Sequence, residues 1–457
     1  MKNIFRIMAV SLALTVGSCN FIDPELNVDP NNPLDVSLDL LLPQAQVTMG
    51  YVLGGDLGRY ASVWSQHHAG VNRQHQAYDI YILTETDVNN AWAGIYESAL
   101  QDLKVIIEKA SDTEQPAPYF RGVARILTAV MIGSTVDLFN DVPFSDALKG
   151  AEQLKPAYDS GAGIYDQIQS LLRDAVVDLQ QPTSTFSPDA SSDLIFGGDN
   201  AAWIAMARTL QARYHLHLSE IDASAYANAL GDIDAGAIAD NAGNALVPFG
   251  TAVTEQNPWF QFADQRTGDV VMGKFFIDLM LGINDPRLPL FASKNPLDGY
   301  SGAAAGVAAD GVNASSFGAA LVSDNSPVPL ATYAEAKFIE AEAALPTDPG
   351  RALAAFSAAI TASLGQFGID DPAFVAAQIP DTLTLEIILT HKYIALYTSL
   401  EPYTDFRRKG FPALQPAAGT TAIATRFPYP QDERLYNGDN FQPYQSVTVF
   451  DKVFWDK

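Results

Sequence analysis

The chain offers few side chains spaced for covalent or metal chemistry. Its six histidines are His67, His68, His75, His215, His217 and His391. Adjacent His67 and His68 cannot easily point to one ion, and no cysteine joins them and His75. His215 and His217 lie two apart in a predicted helix, so they diverge by about 200°. His391, beside Lys392, is expected at the surface or boundary of an amphipathic helix. The zincin spacing is missing, so no metal site and no cofactor are predicted. The 53 acidic residues make pairs such as Asp137 and Asp141 expected by chance. A glycosidase needs two carboxylates at a fixed separation across the bond it cuts, which spacing along the chain cannot establish. Neither a G-x-S-x-G elbow nor a phosphate loop is present. No catalytic residue is predicted.

Ligand-holding side chains are better represented. Between 51 and 96, Tyr51, Tyr60, Trp64, Tyr78, Tyr81, Trp92 and Tyr96 alternate with Asn72, Arg73, Gln74, Gln76, Asn89 and Asn90. A sugar has apolar C–H faces, which suit flat rings, and a hydroxyl rim, which suits amides and guanidinium groups. Trp92 and Tyr96, four apart on a helix, read as core. Trp64, Tyr78 and Tyr81 sit in less regular, polar sequence and are candidate ligand contacts together with Arg73. A second cluster, QNPWFQFADQRTGD, adds Trp259 and Arg266 as candidates. For both clusters the competing reading is aromatic side chains folded back on the core.

The elements that position these residues follow an export signal. Lys2 and Arg6 precede an apolar run at 7–16, then Gly17-Ser18 and Cys19, the one cysteine of 457 residues. This order predicts a signal peptide over 1–18 and acyl chains, palmitate among them, on Cys19. More than one chain is needed for stable anchoring. Residues 19–35, rich in Pro, Asn and Asp, read as a tether. With Cys19 modified no disulfide can form, and a core must supply the stability. The 48% hydrophobic content is ample for one. No later stretch is read as reaching transmembrane length, so the body is expected to be soluble and tethered. Loss of Lys2 and Arg6 takes the net charge from −26 to −28. That balance opposes nucleic-acid binding, which relies on neutralising phosphates.

The body is predicted to be mostly α. Residues 36–235 carry helical periodicity, notably 96–110, 118–139 and 200–220, with a loop at 181–199. Residues 236–330 read as an irregular insert, with a low-complexity, flexible excursion at 301–320. A helix pair at 331–345 and 349–364 is split at Pro346. A helix at 382–400 and an irregular tail from about 410 to 457 complete the chain.

Several blocks, in order, resemble the SusD/RagB nutrient-binding lipoproteins of Bacteroidota. TVDLFNDVPFSDAL (135–148) is similar to their D-x-F-G-D-V-P-Y-x-x-A, with Asn140 in place of glycine. The stretch 193–219 carries Asp193, Gly197, Gly198, Asp199, Trp203, Leu210 and Arg213. Asn284 to Leu288 match N-D-P-R-L, and 332–345 match T-x-A-E-x-x-F-x-x-A-E-A. HKYIALYTSLEPYTDFRRKGFP (391–412) and RFPYPQDERLYNGDN (426–440) close the series. The resemblance implies a SusD-like single domain over 36–457, mostly α, with tetratricopeptide-like helix pairs and irregular loop inserts. It implies an outer-membrane, surface-exposed lipoprotein that captures oligosaccharide and passes it to a SusC-like TonB-dependent transporter without catalysis. Peptide capture in the RagB manner, or an all-α surface glycosidase, are the alternatives. Asp405, Arg407 and Arg408 suit a charge-assisted network at a helix end. The motif residues therefore read as scaffold, and no binding residue is carried over from the family.

Overall fold

The structure is a computed structural model that describes residues 36–457. The predicted signal peptide, Cys19 and the tether lie outside the described residues. The longest helices are α1 (Leu38–Val52), α2 (Gly58–Trp64), α3 (Gln101–Ala110), α4 (Pro118–Phe139) and α5 (Gly161–Leu179). They continue as α6 (Asn200–His217), α7 (Ala225–Asp234), α8 (Pro258–Gln265) and α9 (Lys274–Gly282). Near the C-terminus come α10 (Tyr333–Ala344), α11 (Pro349–Gly365), α12 (Leu385–Ala395) and α13 (Glu401–Lys409). Helix α4 packs on α5, α6 on α7, and α10 on α11, giving the expected helix pairs.

Helix starts are written in the sequence. Asp199 accepts hydrogen bonds from the Ala201 and Ala202 N–H groups at α6. Thr332 caps α10 through Glu335 N, and Asp348 caps α11 ahead of Pro349. Such side chains satisfy N–H groups that have no partner inside the helix. Helix α4 has the length and apolar content to cross a membrane, contrary to the sequence reading that no later stretch reaches that length. It is the core helix, however, with 89% of its most apolar window buried. Six short strands pair antiparallel. They are β1 (His68–Gly70) with β5 (Val270–Met272), β2 (Val142–Pro143) with β3 (Tyr158–Asp159), and β4 (Ala245–Val247) with β6 (Val328–Ala331).

Three expectations need correction. Residues 236–330 contain α8, α9, β4, β5 and β6 rather than irregular chain alone. The 301–320 segment is pinned: Ala303 N donates to Met272 O at 2.9 Å, and Met272 N donates to Ser315 O at 2.9 Å. Its Gly and Ala content allows that close backbone approach, where low complexity suggested freedom. The helix foreseen at 382–400 ends at Ala395, and His391 on it is buried against Phe356 instead of lying at the surface or boundary.

The family-like blocks are scaffold. Asp193 accepts from Trp203 Nε1 at 2.7 Å, Gln46 Nε2 at 2.8 Å and Gly198 N at 2.8 Å, fixing the approach to α6. Gly198 has φ +86°, and a Cβ there would meet Pro188 O at 2.2 Å, so only glycine fits. Arg213 of α6 pairs with Glu335 of α10, with Nη2 to Oε2 at 2.6 Å. Arg408 of α13 bridges Glu342 (2.7 Å) and Asp405 (2.8 Å), and Lys392 of α12 meets Asp405 at 2.8 Å. Arg407 turns away from this network to the carbonyls of Asp137 and Thr425. Buried charges persist only when paired in this way.

Candidate functional site

The β1–β5 pairing brings the two aromatic clusters of the sequence together. It sets His68 opposite Met272 and Gly70 opposite Val270. The carboxylate of Asp269, just before β5, is fully buried and receives Arg73 Nη1 at 3.0 and 3.2 Å. Arg266 Nε lies 3.7 Å from the same carboxylate, and Arg266 Nη2 donates to Gln74 Oε1 at 3.1 Å. Helix α8 starts because Asn257 accepts from Trp259 N (2.7 Å) and Phe260 N (3.2 Å), with Pro258 in the first turn. From the other side, a π-helical turn at Leu53–Leu57 with a kink at Gly55 (φ −89°, ψ −119°) presents Asp56 and then Arg59. The Arg59 guanidinium pairs with Asp56 and lies 4.6 Å from the centroid of the Phe262 ring.

Between these parts opens a recess of about 400 Å³. Its chemistry comes from half-buried Tyr51 and Phe262, from Arg59 and Arg266, and from the amides Gln74, Gln261 and Gln265. Gln261 Nε2 reaches the Tyr51 hydroxyl at 3.4 Å, and that hydroxyl donates to Gln256 O at 2.9 Å. Apolar ring edges beside amide and guanidinium donors match the two surfaces of a carbohydrate.

The sequence candidates divide here. Tyr78 and Arg266 line the recess, and Arg73 stands beside it, half-exposed, on Asp269. Tyr78 contributes little more than an edge: it is 4% exposed, and its hydroxyl donates to Asp87 Oδ1 at 2.6 Å. Trp64, Tyr81 and Trp259 are core, contrary to the possibility of exposure. Trp64 donates Nε1–H to Tyr78 O at 2.9 Å and sets its ring 5.0 Å from Phe427. Tyr81 accepts from Ala417 N at 3.0 Å, and Trp259 packs 4.8 Å from His68 and 5.2 Å from Phe317. Polar neighbours in sequence misled: Gln74 and Gln76 stay in water before Tyr78 and Tyr81, but Gln66 near Trp64 and Asn257 near Trp259 are buried with the rings and hydrogen-bonded. Asp56, Arg59 and Gln261 were missed; the Gly54-Gly55 pair ahead of an i,i+3 Asp–Arg was the available signal.

His67 and His68 are closed off from chemistry. Burial lowers the His67 pKa to about 3, and the neutral ring stacks 4.0 Å from Tyr393. Burial holds His68 low as well, with His67 adding to the effect. His215 and His217 diverge as expected, to Asp232 (2.7 Å) and to Glu401 (3.0 Å). Among the described residues, no group of three or more His, Cys, Asp or Glu side chains is placed to hold a metal. Of the carboxylates at the recess, Asp269 is sealed under Arg73, and Asp56 is tied to Arg59.

The fold is helical and carries a polar-aromatic recess on its surface. The family model described as starch-binding associating with outer membrane matches residues 30–430, and the chain belongs to this SusD-like family. No curated protein sequence matches the chain. Among solved structures it is similar to a chitin-binding protein, at TM-score 0.80 and 22% identity over 92% of this chain and 100% of that one. A SusD/RagB family protein from Bacteroides thetaiotaomicron superposes at TM-score 0.79 with 21% identity, over 92% and 99% of the two chains. A chitin-binding SusD homolog from Flavobacterium johnsoniae gives TM-score 0.77 and 21% identity over 92% and 98%. At these identities the likeness shows the fold.

Proposed function

We propose that this protein captures oligosaccharides at the outer face of an outer membrane and hands them to a SusC-like TonB-dependent transporter without cutting them. In this reading Cys19 carries the acyl anchor, and residues 19–35 tether the body to it beside the transporter. The observation that carries it is the recess between α2, α8 and the 71–78 turn. There ring edges, two guanidinium groups and three amides converge on one opening of about 400 Å³. Membership of a family described as starch-binding supports the ligand class. Two structural relatives named as chitin-binding make β-linked N-acetylglucosamine chains worth including. Arg266, Arg59, Gln74 and Gln261 serve the hydroxyl rim, Phe262 and Tyr51 the C–H faces, and Tyr78 closes the floor. Arg73 holds Asp269 and so orients Arg266. Affinity electrophoresis of the intact protein through a panel of polysaccharides, with an extended-peptide panel in parallel, tests this. Retardation by at least one glycan with no released product is expected. Binding of peptides with no glycan retarded would favour peptide capture, and released product would favour a glycosidase.

A further inference from the structure

Resting on the glycan reading above, one side chain in the recess restricts which sugars fit. His75 is 4% exposed and stands in the recess wall. Its ring is held edge-on between Tyr78 (5.3 Å) and Phe262 (5.1 Å). Nδ1 is sealed from solvent and makes no hydrogen bond. It lies 3.6 Å from Asp269 Oδ2, too far for a hydrogen bond. At that range the carboxylate still opposes a lone pair and favours an N–H. Burial lowers the pKa of the ring to about 4, outweighing Asp269; Arg59 and Arg266 add to the lowering, and Asp56 opposes it. A neutral ring with its hydrogen on Nδ1 carries a lone pair on Nε2. Among the described residues nothing is hydrogen-bonded to that nitrogen. Around it three guanidinium groups stand against two carboxylates, Arg59 on Asp56, and both Arg73 and Arg266 on Asp269.

We propose that His75 Nε2 accepts a hydrogen bond from a ligand hydroxyl, making the recess selective for uncharged, hydroxyl-rich sugars over uronic acids. A hydroxyl can donate to Nε2 while accepting from Arg266 or Gln261. An ionised carboxylate at that point has no hydrogen to give and sets two acceptors face to face.

The test uses isothermal titration of the full chain with maltohexaose, cellohexaose and the N-acetylglucosamine hexamer, each against hexagalacturonate. The wild type is expected to bind at least one neutral hexamer ten-fold or more tightly than hexagalacturonate. His75→Phe, which keeps the ring packing, should lose about ten-fold on that hexamer. His75→Gln, which restores an acceptor, should stay within about three-fold of wild type. Nitrogen-15 histidine spectra should show one ring, absent in both variants, with hydrogen on Nδ1 and an Nε2 signal that moves when sugar is added. Preference for hexagalacturonate overturns the inference, as does a His75→Phe variant of unchanged melting temperature and unchanged affinity. A wild type that binds peptides and none of the sugars overturns the glycan reading itself, before any His75 variant is made.

Discussion

Replacing Trp64 separates a core role from a binding role. The side chain is fully buried, with edge contacts to Tyr81 at 6.1 Å, Tyr403 at 6.0 Å and Phe427 at 5.0 Å. Deleting a buried aromatic side chain costs about 3–5 kcal/mol through lost burial and the cavity left behind. Loss of the Nε1–H bond adds about 1 kcal/mol, because Tyr78 O is left without that donor. Trp64→Ala should therefore lose about 4–6 kcal/mol by these same magnitudes. Trp64→Phe should fall between the two. Urea unfolding followed by far-ultraviolet circular dichroism gives the midpoint shift. Titration of a bound glycan at a temperature where the variant is folded gives affinity per folded molecule, expected within about three-fold of wild type, well under the factor of ten that ~1.4 kcal/mol represents. A variant of unchanged stability that no longer binds would refute the placement of this ring in the core.

Stability should fall on alkalinisation through one buried pair. Burial opposes charge on His217, but Glu401 and Asp137 outweigh it and raise its pKa to about 9 from 6.5. A raised pKa stabilises fully below the unfolded value, so the contribution is present below pH 6.5 and disappears as pH climbs through about 9. The loss is on the order of 3 kcal/mol at ~1.4 kcal/mol per unit. Urea midpoints at pH 6 and pH 9.5 should diverge in wild type and much less in His217→Gln, and parallel profiles would contradict the linkage. Glu342→Leu removes one of the two carboxylates of Arg408 and leaves it to share Asp405 with Lys392, two buried cations on one carboxylate. It should cost about 3–5 kcal/mol by leaving a buried charge uncompensated, read as a lowered urea midpoint. A stability equal to wild type would rule out Arg408 as a buried cation that depends on Glu342.

Much of the fold was legible because its signals are local. Apolar spacing over 118–139, Pro349 after Asp348, and the stop at Pro346 each act within one or two turns, and α4, α10 and α11 appear where expected. Long-range pairing was not legible. Nothing local in SGAAAGVAADGVNASSFGAA says that its backbone will bond to β5, since Ala303 and Ser315 lie 31 and 43 residues from Met272. The site was half legible for the same reason. The two segments that composition picked out come together at the recess, which Arg266 and Tyr78 both line. Which rings face water depends on the kink at Gly55 and the β1–β5 register, which the sequence states only through its folded form.

The recess is the proposed place where glycan binds. The most direct measurement is titration of a glycan retained on the panel into wild type and the Gln261→Ala, Arg266→Ala double variant. Losing one neutral and one charged donor costs about 2–4 kcal/mol, or about thirty-fold or more in affinity. That loss, with the unfolding midpoint unchanged, is the expected result. Equal affinity of the double variant and the wild type would contradict the account and move the binding site elsewhere on the protein.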